Sequence, residues 1–149
     1  MKIICIGRNY ADHVRELNNE MPEEPVIFMK PDSALLRNNG PFFIPDFSTD
    51  VHYEAEIVVK IKKVGKSIPV QFAADYFDEI SLGIDFTARD KQNVLKSKGL
   101  PWEKAKAFDH SAVIGKFVSK TDYDLTNINF SLEKNGVTVQ NGNTSSMIN

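Results

Sequence analysis

Three acidic residues carry the clearest sign of chemistry in this 149-residue chain: Glu54, Glu56 and Asp85. Glu54 and Glu56 lie in Val51-His52-Tyr53-Glu54-Ala55-Glu56-Ile57-Val58-Val59-Lys60-Ile61, whose odd positions are all apolar. That alternation predicts a strand. Side chains two apart on a strand share a face, which sets the two glutamates about 6–7 Å apart. Carboxylates so close repel unless water or a cation screens them. Two readings follow: a solvated outer face, or a divalent-cation site that needs a third oxygen donor. Asp85 is a candidate for that donor. It interrupts the apolar run Ile80-Ser81-Leu82-Gly83-Ile84-Asp85-Phe86-Thr87, and a buried carboxylate needs a partner. A backbone or hydroxyl group would suffice. Alternatively Asp85 completes a set with Glu54 and Glu56, and three carboxylates with water suit Mg²⁺ or Mn²⁺. The set would keep one net negative charge, so an anionic substrate needs cations nearby. Arg8, Lys30 and Lys106 are candidates.

His13 and Glu16 form a second constellation, three residues apart on a predicted helix that Asn9 caps and that runs to Leu17. Glu16 could orient the imidazole and raise its pKa, so that its other nitrogen takes a proton from water. The same spacing also describes two surface neighbours. His52 and His110 read as structural or surface residues. Ser145 and Ser146 sit in no nucleophile elbow, and neither a glycine-rich phosphate loop nor a cysteine–histidine zinc spacing occurs.

The elements that must position these groups alternate irregularly. Residues 2–6 read as a short buried strand and residues 18–25 as a proline-marked loop. Strands are expected at 26–29, 42–44, 51–61, 80–87 and 112–118. Short helices are expected at 69–77, where Pro69 suits a first turn, and at 89–95. Asn135-Gly136 between two apolar-rich runs predicts a hairpin. Lys62-Lys63-Val64-Gly65-Lys66 reads as an exposed basic turn. With no regular βαβ spacing, the expected class is α+β, mainly β, with small helices at the edges.

Composition narrows the function classes. Hydrophobic residues at 42% and charged residues at 26% suit a globular domain. A net charge of −2 gives no footprint for nucleic acid or an anionic membrane. One cysteine, Cys5, excludes an internal disulfide framework and reads as a small buried side chain. No apolar run approaches a membrane span, and the default compartment is the cytoplasm.

Seven motifs in order resemble the fumarylacetoacetate hydrolase superfamily. They are Gly7-Arg8-Asn9-Tyr10-Ala11-Asp12-His13-Val14-Arg15-Glu16, Glu24-Pro25-Val26-Ile27-Phe28-Met29-Lys30-Pro31, His52-Tyr53-Glu54-Ala55-Glu56, Gly83-Ile84-Asp85-Phe86-Thr87-Ala88-Arg89-Asp90, Lys98-Gly99-Leu100-Pro101-Trp102, Ala105-Lys106-Ala107-Phe108 and Asn143-Thr144-Ser145-Ser146-Met147. Each is weak alone; their common order across the chain is specific. The pattern is most similar to the short acylpyruvase and oxaloacetate decarboxylase branch.

The resemblance implies a mixed β-sandwich roll, usually in homodimers, and Mg²⁺ or Mn²⁺ at Glu54, Glu56 and Asp85. That would reverse the solvated-face reading of the central strand. It implies His13 and Glu16 as a water-activating dyad on a segment that orders over substrate, Lys106 as a cation beside the metal, and Arg8 and Gln92 as substrate contacts. The implied reaction cleaves a carbon–carbon bond of a short 2-keto acid through a stabilised pyruvate enolate. Acylpyruvate hydrolysis needs the activated water; oxaloacetate decarboxylation does not. A 2-hydroxyhepta-2,4-diene-1,7-dioate isomerase activity is the alternative within the family. Members of this branch continue beyond the Thr-Ser-Ser-Met motif, so residues 1–149 are expected to form one catalytic domain incomplete at its C-terminus. A catalytically impaired fragment that binds a cation and oligomerises is therefore a further reading.

Overall fold

The computed structural model describes residues 1–10 and 22–148. His13 and Glu16, and most of the helix expected to carry them, lie outside the described residues.

The architecture is α+β and mainly β, as expected. Strands β1 (Ile3–Gly7) and β2 (Val26–Lys30) form an antiparallel pair. Strands β3 (Val51–Ile61) and β4 (Phe77–Ala88) pair antiparallel along nearly their whole length. The other edge of β4 takes two short strands, β5 (Ala112–Ile114) and β6 (Val118–Ser119). A third antiparallel pair joins β7 (Asn129–Lys134) and β8 (Val137–Asn143). Helix α1 (Arg89–Ser97) leaves β4 directly, and the single turn α2 (Glu103–Lys106) follows.

The register of β3 on β4 organises the molecule. Glu54 lies opposite Asp85, Glu56 opposite Gly83, His52 opposite Thr87 and Val58 opposite Ser81. Residues directly opposite one another share a face. All three acids therefore lie on one side of the ladder, while Tyr53, Ala55 and Ile57 lie on the other with Phe86, Ile84 and Leu82. On β4 the acid-bearing side is the buried one: Ser81, Gly83, Asp85 and Thr87 are buried, and Leu82 is exposed. The interior around β4 is polar. Among the described residues, the largest fully buried side chains are Lys30, Thr87 and Ser111, and most of the buried apolar residues are alanines. Gly83 is required there, because a Cβ would lie 2.7 Å from the backbone oxygen of Val113 and 2.7 Å from Val58.

The strand expected to be buried at 2–6 forms as β1 but is not buried: Ile4 and Ile6 are exposed and Cys5 is half-buried, because among the described residues β1 pairs with β2 alone. Three further expected elements differ. Residues 42–44 form no strand; Pro41 and Pro45 flank them, each without an amide donor, and Phe42 instead stacks on Phe86 with ring centroids 3.7 Å apart. Residues Val70–Tyr76 form an exposed 3₁₀ helix, which buries no stripe that would favour an α-helix. The strand expected at 112–118 breaks into β5 and β6 around Gly115. The Asn135-Gly136 turn forms as predicted, with φ of 54° and 78°, the left-handed pair of a type I′ hairpin. Among the described residues, no helix is long and apolar enough to cross a membrane.

Candidate active site

Among the described residues, neither a backbone group nor a hydroxyl satisfies Asp85. Its partners are two buried lysines. Lys106, at the end of α2, places Nζ 2.7 Å from Asp85 Oδ2, 2.8 Å from Glu54 Oε2 and 2.5 Å from Thr87 Oγ1. Lys30, at the end of β2, places Nζ 2.8 Å from Asp85 Oδ1. It also donates to the Ser111 carbonyl at 3.0 Å, to Ser111 Oγ at 3.1 Å and to the Lys106 carbonyl. These lysines are 1% and 4% exposed. Charges so buried are tolerated only when paired and hydrogen-bonded, and here β2, β3, β4 and α2 each contribute to the pairing.

Glu54 is held from a second side. Arg89, the first residue of α1, pairs through Nη2 with Glu54 Oε1. It also donates to Gln92 Oε1, one turn further along the helix, and its Nε lies 3.4 Å from His52 Nδ1. Because α1 begins where β4 ends, the chain turns this guanidinium back over β3. Gln92 is thus buried against Arg89. Among the described residues Arg8 makes no ion pair with the cluster, but it lines the same cavity as Glu54, Asp85 and Lys106. Its backbone has φ of 56° and its guanidinium lies 6.0 Å from the centre of the Trp102 ring; burial, then the charges of Arg8 and Arg89, lower the pKa of Lys96.

The electrostatics follow from this crowding. Burial alone would lower the pKa of Lys106, but Asp85 and Glu54 outweigh it and hold the ammonium above its ordinary value. Burial pulls Lys30 down against the attraction of Asp85. Burial, then the neighbouring charges of Glu54 and Asp85, push Glu56 up to about 8, and Lys106 offsets only part of this. The three carboxyls are therefore close enough to feel one another. Burial pushes the Cys5 thiol up to about 11 and the Tyr10 phenol up to about 12. A cavity of about 1410 Å³ is lined by Cys5, Tyr10, Glu54, Glu56, Asp85 and Lys106 among others.

The donor chemistry fits a hard divalent cation. Three carboxylates share one face, and among the described residues the buried Asp85 Oδ1 receives no well-directed hydrogen bond despite its ion pair with Lys30. They do not form a closed shell: among the described residues, no three His, Cys, Asp or Glu side chains converge as a ready metal site. The Lys106 ammonium lies between Glu54 and Asp85. The structure thus brings together Glu54, Asp85, Lys106 and Lys30, sets Glu56 on the same face, and places Arg8, beside Trp102, and Gln92, bonded to Arg89, along the same cavity. Sequence reasoning missed Arg89 and Thr87. The signal for Arg89 was its place directly after a buried strand; Thr87 offered none beyond sharing Asp85's parity.

Residues 2–149 match the fumarylacetoacetate (FAA) hydrolase C-terminal family. A relative from Dictyostelium discoideum, named oxaloacetate decarboxylase, mitochondrial, is 42% identical over 149 residues, covering 99% of this chain and 68% of its own length. A Bos taurus relative, named oxaloacetate tautomerase FAHD1, mitochondrial, is 42% identical over 147 residues, covering 98% and 66%. The crystal structure of a fumarylpyruvate hydrolase from Pseudomonas aeruginosa in complex with Mn²⁺ and pyruvate is similar with a TM-score of 0.91 and 32% identity, covering 99% of this chain and 66% of that one. The chain spans about two thirds of the length of these relatives.

Proposed function

The chain belongs to the fumarylacetoacetate hydrolase family, and on that premise we propose that it is a divalent-cation-dependent enzyme that cleaves a carbon–carbon bond in a short 2-keto acid, either oxaloacetate or an acylpyruvate. The observation that carries this reading is the buried Glu54–Lys106–Asp85 bridge on the acid-bearing face of the ladder. A Mg²⁺ or Mn²⁺ ion held by Glu54, Glu56 and Asp85 would supply Lewis-acid stabilisation of negative charge on the keto oxygen.

The chain's own residues do the rest. Lys106 keeps its proton and sets a fixed positive charge beside the acids, where an anionic substrate and its enolate gain most. Arg89 and Lys30 hold the outer oxygens of Glu54 and Asp85, so neither carboxylate has to reorganise during the reaction. Arg8 and Gln92 are the proposed substrate contacts. His13 and Glu16 are the proposed water-activating dyad, needed for acylpyruvate hydrolysis and dispensable for decarboxylation. The working form is proposed to be a homodimer or higher homo-oligomer in the cytoplasm.

Pyruvate release from oxaloacetate and from acetylpyruvate tests the proposal. Activity on at least one substrate, abolished by EDTA and restored by Mn²⁺, is expected; an unchanged rate in EDTA overturns the role of the cation. The bovine relative's name favours a second reading, tautomerisation of oxaloacetate, in which a proton moves and no carbon–carbon bond breaks. Loss of the enol absorbance without pyruvate release would select it.

A further inference from the structure

We propose that Gln140 is a positioning residue for Glu54 and Glu56, its side-chain amide standing in for a neighbouring strand at the open edge of β3. The inference rests on the proposed role of these acids as cation ligands.

Strand β3 has β4 on one side, and among the described residues no strand pairs with its other edge. Ala55, between the two glutamates, presents its peptide groups to that edge. The Ala55 N–H donates to Gln140 Oε1 at 2.7 Å, and Gln140 Nε2 donates to the Ala55 carbonyl at 3.0 Å. One residue both accepting from and donating to a single partner is the pattern that a paired antiparallel strand provides. Ala55 is 5% exposed, so loss of the amide would strand two polar groups with little access to water.

The backbone of β8 is shaped to make this contact. Leu132 pairs with Gln140 but Glu133 pairs with Thr138, so Val139 is an inserted residue. Such a bulge twists its strand and re-aims the neighbouring side chain. Here that side chain reaches β3 from a separate hairpin, 85 residues along the chain.

Glu54 and Glu56 flank Ala55, so rotation of this peptide moves both carboxylates. Glu54 has independent anchors in Lys106 and Arg89. Among the described residues, no hydrogen bond or ion pair holds the Glu56 carboxylate, and its placement depends on its backbone. The Gln140 clamp is the contact that fixes that backbone from the open side.

The test compares Gln140→Leu, Gln140→Asn and Lys134→Ala in the 149-residue chain. Leucine removes the amide, and asparagine keeps it but is one methylene too short. Lys134→Ala removes a different hairpin contact to β3, the ammonium 4.9 Å from the Tyr53 ring, and leaves Ala55 untouched. Mn²⁺ affinity is read from the electron paramagnetic resonance of the free ion, and Ala55 amide protection from hydrogen exchange. Both Gln140 variants are expected to lose Ala55 protection and to weaken Mn²⁺ binding about tenfold, with Lys134→Ala within about twofold of wild type. Gln140 variants that bind as wild type does, or a Lys134→Ala loss of the same size, overturn the inference and leave the cation reading standing. Unfolding of both Gln140 variants where Lys134→Ala stays folded makes Gln140 a fold determinant and also overturns it. A wild-type chain that binds no Mn²⁺ overturns the cation reading itself, and this inference with it.

Discussion

At one end of the β3–β4 ladder Lys60 pairs with Glu79 and Lys62 with Asp78; towards the other, Lys106 pairs with Glu54 and Asp85. The residue types are the same, and every acid lies on β3 or β4, although Lys106 comes from α2. The surroundings differ. The Lys60 and Glu79 side chains are 51% and 38% exposed, whereas those of Lys106 and Asp85 are 5% and 10% exposed. In water the exposed pairs gain little, because solvent and salt screen them. In the interior each charge depends on its partners, and removing one leaves the others desolvated and uncompensated. Such a network contributes little net stability for its cost. Its use is a fixed field, and the proposed cation chemistry needs one.

The largest effect is expected at the buried end. Among the described residues, Asp85→Ala leaves the buried Lys30 ammonium without a carboxylate partner and Lys106 with Glu54 alone, and should lose about 3–5 kcal/mol in urea unfolding. A loss below about 1 kcal/mol would mean that water or a rearranged partner neutralises them, and the two ends would no longer differ in kind.

At the same end, Asp90 in the first turn of α1 sharpens the contrast through pH. Its carboxylate accepts a hydrogen bond from Ser48 at 2.6 Å, which with further contacts brings its pKa down to about 2. A depressed folded-state pKa contributes stability that is present above the ordinary carboxylate range and is lost as pH falls through about 2. Ser48→Ala should raise the Asp90 midpoint towards the ordinary value and flatten the acid limb of the stability curve. A carbon-13 titration of Asp90 that stays near 2 in this variant would assign the shift to Lys91 or the Thr49 amide instead.

The smallest effect is expected at the exposed end. A double-mutant cycle on Lys60 and Glu79 should give a coupling of about 0.2–1 kcal/mol that fades with added salt. A coupling above about 2 kcal/mol would show that exposure is not what separates the two ends.

The sequence carried the local features and missed the long-range ones. The alternation around Glu54 and Glu56 marks β3 because a strand with unlike faces must alternate, and Asn135-Gly136 marks the hairpin because its backbone angles suit few other pairs. Asp85 stood out as a carboxylate in an apolar run, and it does lie opposite Glu54. That its partners would be lysines was not legible. Lys30 was a candidate cation, but it precedes a proline at a strand end, where nothing local ties it to Asp85. It is buried by β4, α2 and Ser111, through contacts more than fifty residues away. The inverted polarity of β4 was hidden for a related reason: its apolar residues dominate the pattern, yet Lys106 of α2 and Lys30 of β2 cover the face of Asp85 and Thr87. Residues 42–44 have the composition of a strand but lack a partner, and the flanking prolines were the signal to weigh more heavily. The family resemblance brought Glu54, Glu56, Asp85 and Lys106 into one group; the ladder register shows how the acids come to share a side.

Mn²⁺ binding to the wild-type chain and to Glu56→Gln is the most direct test. This substitution keeps the size of the side chain and breaks none of the ion pairs around Lys106, so the fold should persist. If the three acids form one cation site, wild type takes up about one ion per chain and Glu56→Gln binds it at least about tenfold more weakly. Equal affinity in the two proteins, or no uptake by either, would contradict it.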